Sequence, residues 1–110
     1  MQGTLSALAE PNRRQILALL RRKPLAVGEI ADRLRLRQPQ VSKHLRVLSE
    51  AGLVQVHPVA QQRIYSLRAA PLKELDEWLE PYRRTWADRF ERMDDVLREL
   101  TAQEKSKKGR

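Results

Sequence analysis

The stretch Leu25 to Leu53, LAVGEIADRLRLRQPQVSKHLRVLSEAGL, constrains the fold more than any other part of the chain. Val27, Ile30, Ala31 and Leu34 recur at spacings of three and four, which places them on one face of a helix. Val41, Leu45 and Leu48 repeat that spacing in a second segment, from Pro39 to Ala51. Arg35-Leu36-Arg37 joins the two as a turn. Gly52 closes the second segment, because glycine takes a left-handed backbone without steric penalty. At about 1.5 Å per residue that segment is roughly 20 Å long, enough to cross a groove of a duplex. With its apolar residues turned inward, Gln40, Ser42, Lys43 and Arg46 point away from the protein. Each can hydrogen-bond a base edge or a phosphate. A short polar and basic helix held at a fixed angle by another suits the major groove, so the expectation is a helix-turn-helix.

The flanking sequence completes an architecture. Thr4 to Ala9 predicts a short helix, broken at Glu10-Pro11-Asn12 because proline belongs in a helix's first turn and not its interior. Pro11 to Arg22 predicts a second helix with Ile16, Leu17, Leu19 and Leu20 as its apolar stripe. Arg21-Arg22-Lys23 suits the negative end of that helix's dipole, and Pro24 stops it. After Gly52, Val54–Val59 and Arg63–Leu67 alternate at period two around Ala60-Gln61-Gln62, which predicts a β-hairpin. Pro58 makes its own strand an edge strand. From Pro71 to about Gln103 an amphipathic helix carries apolar residues from Leu72 to Leu100. From Leu79 onward their steps are 3, 4, 4, 3, 4, 3, close to a heptad seam. Pro81 inside the pattern predicts a kink or a break near Glu80. Glu104 to Arg110 holds no hydrophobic residue and is expected to be disordered. The expected fold class is therefore mainly α with a small β-hairpin wing, a winged helix-turn-helix. Residues 1–70 form its core, residues 71–102 carry C-terminal helix of the same domain, and 103–110 are a basic tail.

Charge separates along the chain. Residues 1–70 hold twelve Lys and Arg against four Asp and Glu, while residues 71–110 hold ten of each, so the net +8 lies with the helix-turn-helix half. Such a division suggests one face for a polyanion and another for association. A helix as long as the last one exposes more apolar surface than so small a domain can cover. That points to a dimer through Leu5 and Leu8 at the N-terminus and Leu79, Tyr82, Trp86, Phe90, Met93 and Leu97 near the C-terminus. No apolar run of about 18 residues predicts a membrane span, and no leader pattern is present. The absence of cysteine excludes disulfides and thiolate metal ligands, and agrees with a cytoplasmic, nucleoid-associated protein. No catalytic grouping or phosphate-cradling glycine loop is visible, so neither enzyme activity nor a cofactor is expected.

Three strings occur in order with a family likeness. ALAEPNRRQILALL (Ala7 to Leu20) resembles the opening of ArsR-family repressors, QPQVSKHLRVLSEAGLV (Gln38 to Val54) their recognition helix and the approach to the wing, and RIYSLR (Arg63 to Arg68) their second wing strand. WLEPYRRTWADRFERM (Trp78 to Met93) is similar to the last helix of an aromatic-rich subgroup. The resemblance implies a homodimeric repressor that binds a palindromic operator on double-stranded DNA and releases it on a signal. It implies DNA contacts by Gln38, Gln40, Ser42, Lys43, His44 and Arg46, although helical geometry alone turns Gln38 and His44 nearer the buried side. Arg63, with Gln61 and Gln62 at the wing tip, is a further candidate for phosphate or minor-groove contact. Arg13 and Arg14, near a helix start, could touch the DNA backbone or pair with acids.

Two departures from the family matter. The family often has serine where Arg37 stands; arginine cannot cap a helix in that way, which leaves the start of the recognition helix open. Metal-sensing members coordinate ions through cysteines in the first helix of the motif, or through histidines and carboxylates on the last helix. Here Leu25 to Ile30 has no thiol, and the two histidines, His44 and His57, lie in the recognition helix and the wing. Asp88, Glu91, Asp94 and Asp95 would hold a hard cation weakly at best, so no family-type metal site is expected. Two rival functions fit the same residues. One is a winged-helix module that binds a protein partner; the other is a repressor released by a hydrophobic small molecule held near Trp78 and Tyr82.

Overall fold

The ends of the helices are set by a few residues. The computed structural model describes residues 1–108, with side chains through Lys105. It falls into two compact units, Met1–Leu75 and a second from Asp76 onward. In the first, helix α1 spans Gln2–Leu8 and α2 spans Pro11–Leu20. The Glu10 carboxylate caps α2, accepting from the backbone N–H of Asn12 at 2.7 Å and of Arg13 at 3.3 Å. An acidic cap suits the positive end of the helix dipole. The guanidiniums that follow face the other way. Arg13 donates from Nε to Ala7 O at 2.7 Å and from Nη2 to Ser6 O at 3.2 Å, and Arg14 donates from Nη1 to Leu8 O at 2.6 Å. They satisfy the last carbonyls of α1, a role different from both a DNA-backbone contact and a salt bridge.

Strand β1 (Leu25–Ala26), helix α3 (Val27–Leu34) and helix α4 (Gln38–Glu50) follow. Helices α3 and α4 end in the same device. After α3, Leu36 N–H bonds Ala31 O at 3.0 Å and Arg35 N–H reaches Asp32 O at 3.4 Å; after α4, Leu53 N–H bonds Leu48 O at 2.9 Å and Gly52 N–H bonds Ser49 O at 3.0 Å. This bond pair needs a left-handed residue just past the helix, and Arg35 (φ 56°) and Gly52 (φ 76°) supply it. Glycine adopts that conformation freely; arginine does so at a cost.

Strands β2 (Val54–Val59) and β3 (Gln62–Leu67) pair in antiparallel register from Val54↔Leu67 to Val59↔Gln62, leaving Ala60-Gln61 as the loop. Gln62 therefore opens a strand and is not part of the loop. β1 adds a third strand that the alternation pattern did not predict, pairing Leu25 with Tyr65 and Ala26 with Ile64. The sheet order β1-β3-β2 leaves β2, with its proline, at an edge. Behind the sheet and helices, Ile16, Leu25, Ile30, Val41, Leu45, Leu48 and Leu53 form the centre of the core and are almost fully buried. Each contributes about 1.5–3 kcal/mol by leaving water. Leu19, Val27 and Leu34, expected in the core, are half-buried at its margin.

Helix α5 spans Ala70–Lys108; its first residues, through Leu75, belong to the first unit, and from Asp76 onward it makes up the second. It runs through Pro81 without the break expected there. Proline removes one backbone donor, but nearby side chains support the backbone around it. The Arg83 guanidinium reaches back across Pro81 to Asp76, bonding its carboxylate and, at 3.2 Å, its carbonyl, and it also pairs with Glu80. Thr85 Oγ1 donates to Pro81 O at 3.1 Å. α5 also continues through Lys108, so residues 104–108 are helical where disorder was expected; Gly109 and Arg110 lie outside the described residues. Polarity misled there, because Glu and Lys, which make up most of that stretch, are strong helix formers. No helix among the described residues is long and apolar enough to cross a membrane.

Candidate nucleic-acid interface

The buried side of α4 determines what its other side presents. Val41, Leu45 and Leu48 are 0% exposed, anchoring the helix on α2 and α3. Gln38, Gln40, Ser42, Lys43 and Arg46 are all exposed, whereas His44 is half-buried between the two faces. Five of the six candidate α4 residues thus share a solvent-facing surface.

Gln40 has a second role that composition did not suggest. Its Oε1 accepts the backbone N–H of Arg37 at 3.1 Å, tying the start of α4 from the third helical position. The side chain of Arg37 cannot accept in return, so the cap is one-sided. It replaces the serine cap of the family pattern and settles where the helix begins, at Gln38. Gln40 keeps its Nε2 amide as a free donor. Arg46 donates from Nε to Glu50 Oε1 at 3.3 Å, one turn on. Both side chains are largely exposed, and such a pair contributes only about 0.3–0.5 kcal/mol, so the guanidinium is readily redirected.

Gln38, Ser42 and Arg63 meet around one notch of about 550 Å³, with Gln61 and Gln62 from the wing tip and the first turn of α3, Val27 to Glu29. This brings the N-terminal turns of α3 and α4 and the wing loop to one concavity, where backbone N–H groups, amides and a guanidinium all offer donors. Such a surface can take the edge of a base or a phosphate oxygen. The first turn of α3 was absent from the residues proposed on sequence grounds. Its signal was Gly28, at the second position of an amphipathic helix, where an added Cβ would sit 3.4 Å from Gln38 Nε2.

The candidate association residues divide between the units. In the first, Leu5 is exposed and Leu8 half-buried, Leu8 lining an apolar hollow of about 380 Å³ with Leu17, Ala18 and Leu72. In the second, Leu79 is half-buried while Tyr82, Trp86, Phe90, Met93 and Leu97 are exposed. Trp78 and Tyr82 pack ring against ring, centroids 4.9 Å apart. Among the described residues no group of three or more His, Cys, Asp or Glu could hold a metal ion.

Helices α2, α3 and α4, the last with one polar face exposed, followed by a two-stranded antiparallel wing, define a winged helix-turn-helix. Comparisons agree. Residues 8–57 match the family described as a helix-turn-helix domain. The chain is 32% identical to the transcriptional repressor SdpR of Bacillus subtilis over 72% of its length and 88% of that protein. It is 43% identical to the HTH-type transcriptional regulator Rv2034 of Mycobacterium tuberculosis, covering 76% of this chain and 71% of that one. A crystal structure of an ArsR family transcriptional regulator superposes with a TM-score of 0.70 at 29% identity, over 78% of this chain and 94% of the other. The chain belongs to the ArsR family of winged helix-turn-helix transcription regulators, which bind DNA.

Proposed function

We propose that this regulator is a repressor that acts as a homodimer on a palindromic operator, without a metal ligand set of the family's kind. The observation that carries the DNA-contact assignment is the division of α4, with three aliphatic residues fully buried and Gln38, Gln40, Ser42, Lys43 and Arg46 exposed opposite them. In this reading Lys43, Arg46 and Arg63 neutralise phosphates or reach guanine, and release of counterions supplies most of the affinity. Gln38, Gln40 and Ser42 choose the sequence by hydrogen bonds to base edges, and half-buried His44 supports the helix at the backbone. Two copies joined through Leu5, Leu8 and the apolar face of α5 would offer two recognition helices to successive major grooves, about 34–36 Å apart. Cytoplasmic, nucleoid-associated placement follows from that role.

The test is a titration on operator-containing and random duplex over a range of salt concentrations. Lys43→Ala with Arg46→Ala removes two cations from each copy, so it should flatten the dimer's log–log salt slope by up to about four and remove the preference for operator. An unaltered slope and preference would reject those roles. A slope near zero for the unmodified protein would favour a protein-binding module instead.

A further inference from the structure

Helices α3 and α4 close with the same bond pair, yet α4 closes on glycine and α3 on Arg35, at φ 56° and ψ 41°. A side chain is penalised in that conformation and glycine is not. The bond pair explains the backbone; it does not explain an arginine. We infer that Arg35 grips a phosphate of the DNA backbone from the turn, as an anchor outside the exposed face of α4. This rests on the DNA-contact reading above and adds a residue and the kind of contact it makes.

Nothing within the chain accounts for the side chain. Arg35 is exposed, so it fills no space in the core. Among the described residues the guanidinium hydrogen bonds and ion pairs come from Arg13, Arg14, Arg46, Arg83 and Arg84, and Arg35 takes no part in them. A cation near the end of α3 gains a little from the helix dipole. Arg33 already stands in that last turn, and the gain is smaller than the left-handed penalty. An arginine kept at a cost where glycine would close the turn freely points to a contact outside the chain. Arg33 and Arg37 are exposed too, but Arg33 is helical and Arg37 extended, so neither carries that signal.

The turn places Arg35 for such a contact. Had α3 continued, position 35 would lie one turn past Ala31, on the buried side. The left-handed backbone swings it out instead. The chain that follows is fixed: Leu36 N–H bonds Ala31 O at 3.0 Å, and Arg37 N–H bonds Gln40 Oε1 at 3.1 Å, at the start of the helix that presents Gln38 and Gln40. The Cα is thus anchored beside the recognition helix while the guanidinium is free. Reading a base edge needs a side chain already locked in place, and nothing locks this one. A phosphate offers oxygens in several directions and carries the opposite charge. Arg35 therefore supplies affinity and leaves sequence choice to the face of α4.

Arg35→Gly and Arg35→Asn each remove the charge with a residue that tolerates the left-handed backbone, and Arg35→Lys keeps it. The full chain is titrated by fluorescence anisotropy on two labelled duplexes, an operator selected from a random pool and a shuffled version of it, at about 50 and 200 mM salt. Each copy loses one phosphate contact, a slope change of about 0.9, so the dimer's loss of affinity relative to the parent should be about twelvefold greater at the lower salt. Both neutral variants should show this on both duplexes and keep the operator preference within about twofold. Arg35→Lys should restore the slope, and Arg35→Gly should unfold no earlier than the parent. Parent-like slopes in both neutral variants, a loss confined to the operator, or a lysine that fails to restore the slope would overturn the phosphate contact and leave the DNA reading of α4 standing. A parent protein with a slope near zero on both duplexes would overturn both.

Discussion

Gln40 combines two jobs that substitution can separate. Its Oε1 holds the Arg37 N–H at the start of α4, and its Nε2 is free to reach a base. Gln40→Ala removes both functions, whereas Gln40→Glu keeps the acceptor and loses the donor. The cap is exposed, so its loss in Gln40→Ala should cost about 0.5–1 kcal/mol, at the low end for helix caps. For a domain of this size that lowers Tm by about 3–6 °C. Gln40→Glu should match or exceed the parent in stability, because a carboxylate in the first turn gains about 0.3–1 kcal/mol from the helix dipole. Binding should order the variants differently. Losing the Nε2 contact leaves a base acceptor unsatisfied, which costs about 1–3 kcal/mol, a five- to 150-fold drop in operator affinity, and the added negative charge near phosphates should take Gln40→Glu beyond Gln40→Ala. Thermal unfolding followed by circular dichroism measures the first quantity, and fluorescence anisotropy on labelled operator the second. If Gln40→Glu unfolds as early as Gln40→Ala, the Arg37 bond contributes nothing in solution. If it binds operator as tightly as the parent, Gln40 does not face the DNA.

The two helix ends closed by left-handed residues should respond with opposite signs. Gly52→Ala places a Cβ in ordinary van der Waals contact, 3.7 Å from Pro71 Cγ, so its cost of about 1–2 kcal/mol is conformational; Arg35→Gly relieves that same strain and should leave Tm unchanged or raise it. A destabilised Arg35→Gly would show that its side chain does more than close the turn. The ion pairs around Pro81 should be sensitive to acid. Hydrogen bonds from Arg83, then Arg84, hold the Glu80 carboxyl below its usual range. Because its folded pKa is depressed, this support is present above the ordinary glutamate value of about 4.3 and is lost as pH falls through the lower folded value. Far-UV circular dichroism should show a helicity loss over that acid range that Glu80→Gln lacks; identical profiles would remove Glu80 from the account of how α5 passes its proline.

Where sequence and structure agree, the reason is local. The bounds of α3 and the inward face of α4 follow from aliphatic spacing, and that spacing also exposes Lys43 and Arg46. Gly52 carries a positive φ because the bond pattern after α4 demands it. The parts that were not legible depend on distant partners or on compensation. β1 is two residues long and exists through its pairing with Ile64 and Tyr65, almost forty positions away. Gln40 sits at the right spacing for a cap, but attention to an absent hydroxyl at Arg37 concealed that a side chain three residues on closes the gap. The proline rule predicts a missing bond at Pro81 and is silent about a guanidinium reaching back over it.

The grip of Arg13 and Arg14 on the end of α1 has an electrostatic consequence. Two of the twelve cations before residue 71 already serve carbonyl oxygens of their own chain. A formal tally of positive residues therefore overstates what an approaching polyanion can recruit.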